Sequence, residues 1–221
     1  MDFSFNNLPF ISGQRILFQG DSLTDTGRNR AIMHDLGQGY VAQVCGLLAA
    51  FRPDLHVEIL NRGNGGDRTI ELMERWQVDC IDLKPDWLSV FIGVNDVWRK
   101  RSEMQGGQRF VPLAEFVANY HVLLDQVAAA GIHNLVLVSP TLIDKYLQSD
   151  LNLLLSEYDA AVQDLSREYN AIYVPLRERL LDLLPLNNEI NWLGDGCHPT
   201  AAGHAVFAAS WLEAVSKNNR V

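Results

Sequence analysis

The chain has 221 residues, of which 48% are hydrophobic and 20% are charged, and its net charge is −9. This length fits a single α/β domain over residues 1–221, and the composition excludes a disordered chain and a coiled coil. The negative charge repels phosphate backbones and anionic lipids, so we expect neither a nucleic-acid partner nor a membrane partner.

Five short, apolar, β-rich runs predict strands. In chain order they are Arg15–Gln19, Val57–Asn61, Trp87–Ile92, Leu135–Ser139 and Ala171–Val174. Helical spacing predicts five helices. The second contains Ile70 and Val78 and stops before Pro85, and the other four are Gly39–Phe51, Leu113–Ala130, Leu153–Tyr169 and Ala201–Val215. This alternation of strand and helix predicts a parallel sheet that is covered by helices on both faces.

Two connections are unusual. The segment Asp21–Gln38 is long for a link between a strand and a helix, and such loops are often functional. The segment Lys100–Arg109 is polar and contains two adjacent glycines, a pattern that predicts a mobile loop.

The three cysteines, Cys45, Cys80 and Cys197, are far apart in the sequence and form no CxxC pair. We expect them to be free thiols in a reducing compartment. The first residues carry neither the basic nor the apolar region of a secretory signal, and no apolar run approaches the roughly 20 residues of a membrane span. These features predict a cytoplasmic protein.

Small and polar residues follow the first three predicted strands, at Gly20–Asp25, Arg62–Arg68 and Gly93–Asp96. The carboxyl ends of parallel strands meet at one edge of the sheet, and ligands bind outside that edge. The sequence therefore predicts that these three loops share a binding site.

Ser22 is a candidate nucleophile because it follows a strand and a glycine, at the start of a helix. A serine nucleophile needs a general base, and that base needs an orienting acid. Asp195 and His198, three residues apart before the last predicted helix, match these two roles. Taken alone, each residue has a plainer reading as a cap or a surface side chain.

Acyl transfer also needs hydrogen-bond donors for the oxyanion. The loop Gly63–Gly66 can present backbone N–H groups, and Asn95 can present a side-chain amide. A plain turn explains either feature equally well on its own.

Four blocks of this sequence resemble, in order, the conserved blocks of the SGNH (GDSL) hydrolase family. They are Gly20–Asp25, Asn61–Asp67, Gly93–Asp96 and Asp195–His204. The resemblance extends over almost the whole chain. No Gly-x-Ser-x-Gly elbow, phosphate-binding GxxxxGK[ST] loop or HExxH motif is present, so rival hydrolase classes lack support.

This resemblance implies a three-layer α/β/α sandwich with a five-stranded parallel sheet, the flavodoxin-like arrangement of the family. It implies that Ser22, His198 and Asp195 are the catalytic residues of a serine esterase. The implied oxyanion hole consists of the backbone N–H groups of Ser22 and Gly66 and the side-chain amide of Asn95. Gly66 is preferred to Gly65 because it directly precedes an Asp, as in the family. No cofactor and no metal are implied.

The segments at 39–42 and 83–99 are similar to a bacterial branch of the family that contains intracellular acetylxylan esterases. This likeness implies a carbohydrate ester substrate, an acetylated oligosaccharide, with Trp98, Arg99 and Trp192 as tentative substrate-binding residues. Core packing is the plainer reading of the two tryptophans. The net charge of −9 agrees with a neutral sugar better than with an anionic phospholipid.

Two other functions stay open at this stage. One is a general short-chain esterase, such as a lysophospholipase or a thioesterase. The other is a carbohydrate-binding module that kept the fold without catalysis. The apolar helix faces agree with a homo-oligomer and equally with simple burial in the core.

Overall fold

All five predicted strands are present in one parallel sheet. The computed structural model describes residues 5–103, 107–187 and 189–218. The strands are β1 Arg15–Gly20, β2 Glu58–Gly63, β3 Trp87–Phe91, β4 Asn134–Val138 and β5 Ile172–Val174. Within the sheet they lie in the order β2-β1-β3-β4-β5.

Helices connect the strands and follow the last one. They are α1 Ser22–Asp25, α2 Tyr40–Phe51, α3 Thr69–Asp79, α4 Val94–Glu103, α5 Leu113–Ala129, α6 Asp150–Glu168, α7 Leu176–Leu183 and α8 Ala201–Lys217, with short 3-10 turns at Phe5–Asn7 and Ile81–Leu83. The α/β fold predicted from the sequence, with a five-stranded parallel sheet flanked by helices, is confirmed.

Helices α2 and α8 pack together, and α5 packs against both α3 and α6. Aromatic side chains fill the space that α2 and α8 share with β1. Phe18 lies 5.0 Å from Trp211 and 5.8 Å from Tyr40, ring centre to ring centre. All three rings are buried, and each contributes about 1.5–3 kcal/mol through the apolar area it removes from water.

The strand register brings three loops to one edge of the sheet. Gly20, the last residue of β1, pairs with Gly63 on one side and with Phe91 on the other. The segments that follow these residues therefore start side by side. The carboxyl edge of β1, β2 and β3 is the place where the sequence predicted a site.

Three predictions of the local structure need correction. Residues 100–103 are the last turn of α4, so the mobile loop predicted at Lys100–Arg109 is wrong there, and residues 104–106 lie outside the described residues. The helix predicted to continue to a stop before Pro85 ends at Asp79, with Val78 68% exposed, and a 3-10 turn follows at Ile81–Leu83. Helices α4 and α7 were not predicted.

All three cysteines carry free thiols, and Cys80 and Cys197 are buried. Across the part of the chain that the structure describes, no helix combines the length and the apolar character that spanning a bilayer requires.

Candidate active site

Ser22 begins α1 immediately after β1. The turn between them depends on Gly20, because a Cβ at this position would lie 2.4 Å from both the Phe91 carbonyl oxygen and Thr24 Oγ1. Asp21 then caps α1, and its Oδ1 accepts a hydrogen bond of 3.0 Å from the Leu23 N–H. The short turn thus presents the Ser22 hydroxyl at the edge of the sheet.

A chain of hydrogen bonds joins the three residues that the sequence selected. Ser22 Oγ lies 3.0 Å from His198 Nε2, and His198 Nδ1 lies 2.7 Å from Asp195 Oδ2. Such a serine, imidazole and carboxylate arrangement can activate a hydroxyl for attack on a carbonyl carbon. The structure therefore brings Ser22, His198 and Asp195 together although 176 positions separate Ser22 from His198.

The Asp195 carboxylate is ionised over a wide pH range. Partial burial opposes ionisation, but hydrogen bonds from His198 and from the backbone N–H groups of His198 and Cys197 outweigh it, and the pKa of Asp195 falls to about 2. A carboxylate that stays negative can stabilise positive charge that develops on the neighbouring imidazole during catalysis.

The segment that carries Asp195 and His198 lies mostly at the surface. The side chains of Asp195 and His198 are 56% and 52% exposed. An isolated antiparallel bridge between Leu193 and Pro199 closes the turn, and the Gly194 N–H donates to the His198 carbonyl over 2.8 Å. Local backbone hydrogen bonds hold this turn, which is not part of the five-stranded sheet.

His204, on α8, is buried. Its Nδ1 accepts a hydrogen bond of 3.1 Å from the Tyr40 N–H at the start of α2. Burial lowers the pKa of His204 to about 4, and the nearby charge of His198 adds to this effect. A neutral imidazole suits the role of acceptor between α2 and α8.

Gly65 and Gly66 lie beside Ser22, but their N–H groups differ. The Gly65 N–H donates to Asp25 Oδ2 over 3.1 Å, so this donor is already engaged. Gly66 has a φ of +87°, a left-handed conformation that glycine adopts without strain, and its carbonyl accepts from Arg99 Nη2 over 3.3 Å. The arrangement leaves the Gly66 N–H as the better candidate donor for an oxyanion.

The side-chain amide of Asn95, on α4, is held from two directions. Its Nδ2 donates to the Asp67 carbonyl oxygen over 3.2 Å and to Asp21 Oδ2 over 3.4 Å. Asn95, Gly66 and Ser22 line the same cavity. The three predicted oxyanion groups are therefore neighbours.

Two buried carboxyl groups lie behind these loops. Burial raises the pKa of Asp21 and of Asp96 to about 7, against hydrogen bonds that lower it. Asp96 Oδ1 accepts from both the N–H and the hydroxyl of Thr69, over 3.0 Å and 2.6 Å. These contacts fix the first turn of α4 against the start of α3.

The cavity at Ser22 has a volume of about 280 Å³, and its lining residues are Ser22, Gly65, Gly66, Val94, Asn95, Trp98, Cys197 and His198. Trp98 also lines a neighbouring cavity of about 460 Å³, which extends past Asp195 to Asp144 and Lys145. In residues 5–103, 107–187 and 189–218, no group of three or more His, Cys, Asp and Glu side chains is arranged to hold a metal ion.

The three tentative substrate-binding residues have different positions. Trp98 is half-buried and lines the Ser22 cavity. Arg99 contacts the Gly66 carbonyl behind the same loop. Trp192 packs against the hydrophobic core and does not belong to the set of residues that line the Ser22 cavity, which agrees with the plainer reading for this residue.

Sequence reasoning missed Asp25, whose carboxylate accepts from the Gly65 N–H and pairs with Arg30. The available signal was its position three residues after Ser22, on the first helical turn. It also missed Cys197 and Val94 as apolar lining of the cavity.

Comparison with known proteins decides the family. Residues 18–206 match the GDSL-like lipase/acylhydrolase family. The chain belongs to this family. It is accordingly a carboxylic ester hydrolase, and the SGNH (GDSL) resemblance stated from the sequence is confirmed.

Within the GDSL-like family, the chain is 33% identical over 208 residues to an acetylxylan esterase of Geobacillus stearothermophilus, covering 92% of this chain and 94% of that protein. A crystal structure of that esterase superposes with a TM-score of 0.85 at 33% identity and covers 92% and 94% of the two chains. A hydrolase from the metagenome of Lake Arreo, Spain, superposes with a TM-score of 0.87 at 27% identity, covering 96% of this chain and 99% of its own.

Further solved structures of the Geobacillus enzyme are catalytic mutants at 32% identity to this chain, with TM-scores of 0.86, 0.86 and 0.85. In each mutant, alanine replaces one residue of that enzyme. The replaced residue is a serine in the first, a histidine in the second and an aspartate in the third. The histidine and the aspartate of that enzyme are three residues apart, the same spacing as His198 and Asp195 here.

Proposed function

We propose that this esterase removes O-acetyl groups from oligosaccharides, with Ser22 as nucleophile, His198 as general base and Asp195 as the acid that orients it. The observation that carries the proposal is the hydrogen-bonded chain from Ser22 Oγ through His198 to Asp195, which opens into a cavity beside Trp98.

In the first step, His198 Nε2 accepts the Ser22 proton while Ser22 Oγ attacks the acetyl carbonyl carbon. The imidazole becomes positive, and the Asp195 carboxylate, whose pKa is about 2, stabilises it across the 2.7 Å contact to Nδ1. The carbonyl oxygen becomes an oxyanion in the tetrahedral intermediate.

The N–H groups of Ser22 and Gly66 and the Asn95 amide donate to this oxyanion. Of the two hydrogen bonds that Asn95 Nδ2 makes, the one to Asp21 is the longer, at 3.4 Å against 3.2 Å. We expect this longer bond to give way when the oxyanion forms, while the bond to the Asp67 carbonyl keeps the amide in position.

Collapse of the intermediate breaks the bond to the sugar oxygen, which leaves with the proton from His198. Ser22 then carries the acetyl group. Water loses a proton to His198 and attacks the acetyl carbon, and acetate and free Ser22 form. No metal takes part in these steps.

Two observations support an oligosaccharide as the alcohol part of the ester. Trp98 joins the Ser22 cavity to the neighbouring 460 Å³ cavity, so a chain of sugars has room to extend past the acetylated unit. The half-buried indole offers an aromatic face on which a sugar ring can pack. Identity of 33% to an acetylxylan esterase agrees with this substrate class.

Hydrolysis of acetylated xylo-oligosaccharides tests the proposal, in parallel with p-nitrophenyl acetate, butyrate and octanoate and with Ser22→Ala as control. We expect turnover of the sugar esters and of the acetate, and its loss in Ser22→Ala. Preference for octanoate over acetate and no sugar deacetylation would contradict the deacetylase and favour a lipid-directed esterase. Undiminished activity in Ser22→Ala would exclude the proposed mechanism.

A further inference from the structure

Four arginines line a cavity of about 420 Å³ that also includes Asn64, the residue before Gly65. They are Arg28 and Arg30 from the connection between α1 and α2, Arg62 from β2 and Arg75 from α3. Among the described residues that line this cavity, Asp79 is the one carboxylate. In a chain with a net charge of −9, this is a local reversal of charge.

Three of the four guanidinium groups are fixed inside the protein. The side chains of Arg28, Arg62 and Arg75 are 5%, 10% and 16% exposed. Arg28 Nη2 donates to the Gly63 carbonyl over 2.8 Å, and Arg75 Nη2 donates to the Gly20 carbonyl over 3.0 Å. These bonds preorganise the positive charge against the loops that hold Ser22.

The charges in the cavity are not fully balanced. Asp25, Asp67 and Asp79 are the carboxylates that pair with the four arginines. Arg28 Nε and Asp25 Oδ1 face each other at 3.7 Å, and both are buried without a hydrogen-bond partner. Burial lowers the pKa of Arg28, and the neighbouring charges of Arg62 and Arg30 lower it further, although Asp25 opposes them. A bound anion would relieve this repulsion.

Arg30 is the accessible member of the cluster, with 51% of its side chain exposed. Its Nη2 pairs with Asp25 Oδ2, and within the described residues no other partner of this guanidinium is present. A Cβ added to Gly65 would lie 3.4 Å from Arg30 Nη2 and 3.8 Å from Ser22 Cβ. Gly65, which lines the Ser22 cavity, therefore lies directly between Arg30 and Ser22.

We propose that Arg30 and the arginine cavity behind it form a subsite for a carboxylate carried by the substrate, so that acetylated sugars next to a uronic acid are preferred. This inference rests on the proposed deacetylase function. A planar guanidinium matches a carboxylate in shape and charge, and Arg30 lies next to Gly65 at the border of the Ser22 cavity. Asp25 links the subsite to the oxyanion loop because it bonds both Arg30 and the Gly65 N–H.

Two substrates that differ at a single group, charged in one and neutral in the other, test the subsite. One is an acetylated xylo-oligosaccharide that carries a single glucuronate, and the other is the same compound after reduction of the carboxylate to an alcohol. For wild type we expect kcat/KM to be about 10-fold or more higher for the acid, the size of one charge-assisted hydrogen bond. We expect the ratio to fall to about 1–2 in Arg30→Gln and to be partly kept in Arg30→Lys.

Arg109→Gln is the matched control. Arg109 is 50% exposed and pairs with Glu115, much as Arg30 pairs with Asp25, but it does not line the Ser22 cavity or the arginine cavity. This variant should keep the wild-type ratio. A wild-type ratio near 1, or a ratio that Arg30→Gln leaves unchanged, overturns the subsite while the deacetylase function stands. Failure of wild type on both sugars overturns both.

The wild-type enzyme alone provides a second measurement. Its preference for the acid should decrease as NaCl rises from about 0.05 M to about 0.5 M, because salt screens a charge pair with an exposed partner. A preference that salt does not change contradicts the role of Arg30. Competitive inhibition by inorganic phosphate as strong as that by glucuronate would show a general anion site and would contradict a subsite for the substrate's own carboxylate.

Discussion

The two halves of the candidate triad are supported in different ways. The half with Ser22 is part of the sheet edge, where Asp21, Asp96 and Thr69 are buried and hydrogen-bonded to neighbouring loops. The half with Asp195 and His198 is a surface turn whose two functional side chains are more than half exposed.

This difference predicts which substitutions lower the stability of the fold and which lower turnover. Removal of a buried hydrogen-bonded group leaves its partner unsatisfied and destabilises the fold, whereas exposed pairs contribute little to stability. We therefore expect substitutions of Asp195 and His198 to affect turnover far more than stability, and substitutions behind Ser22 to affect stability first.

The largest expected effect is that of Asp195→Asn. Loss of the charge beside His198 Nδ1 should lower kcat for p-nitrophenyl acetate by about 10⁴-fold, because the amide no longer stabilises the imidazolium or fixes its tautomer. The free energy of unfolding in urea should change by less than about 1 kcal/mol, since the pair is exposed. A loss of stability larger than the loss of turnover, both expressed as free energies, would contradict the contrast between the two halves.

Asn95→Ala should have the next largest effect. Removal of one oxyanion donor should lower kcat by about 10²–10³-fold, with a much smaller change in KM, because the amide acts on the transition state. Steady-state kinetics with p-nitrophenyl acetate measures both constants. A change confined to KM would assign Asn95 to substrate binding.

Thr69→Val tests the buried half with a side chain of similar shape. The Thr69 hydroxyl donates to Asp96 and accepts from Asn119 Nδ2 over 3.0 Å, so both partners lose a bond. We expect a loss of about 1–3 kcal/mol in urea unfolding and less than about a tenfold change in kcat. Ser156→Ala, which removes an exposed hydroxyl, is the control and should cost less than about 0.5 kcal/mol.

The last expected effect concerns pH. Because the pKa values of Asp21 and Asp96 are raised from 3.8 to about 7, the folded chain keeps protons between pH 4 and 7 that the unfolded chain has lost. Their contribution to stability therefore decreases as the pH rises through this window. Asp96→Asn should become more stable relative to wild type from about pH 5 to about pH 8 in urea unfolding. A constant difference would contradict the raised pKa of Asp96.

The sequence predicted the strands, and it selected three residues that the structure places within hydrogen-bonding distance of one another, for physical reasons. Buried parallel strands such as β4 are continuous apolar runs, and the carboxyl ends of such strands collect functional loops. Ser22 follows one such strand directly. Asp195 and His198 are close in sequence, so their mutual distance depends on a local turn.

Helix α4 was not predicted because its stability comes from tertiary contacts. Its sequence is polar overall, and Asn95 and Asp96 suggest a turn. In the structure Val94 and Val97 are buried, and Asp96 bonds to Thr69. Arg30 gave no signal for a similar reason, since a polar loop has no periodicity and its closeness to Ser22 depends on the packing of Gly65.

Covalent labelling tests the central claim, that Ser22 is the nucleophile and His198 its base. Intact-mass and peptide analysis after treatment with diethyl p-nitrophenyl phosphate should show one diethylphosphoryl group on Ser22, with matching loss of esterase activity. His198→Ala should react far more slowly, because its serine lacks the base at 3.0 Å. Inactivation with the label on another residue, or full activity with Ser22 labelled, would contradict the account.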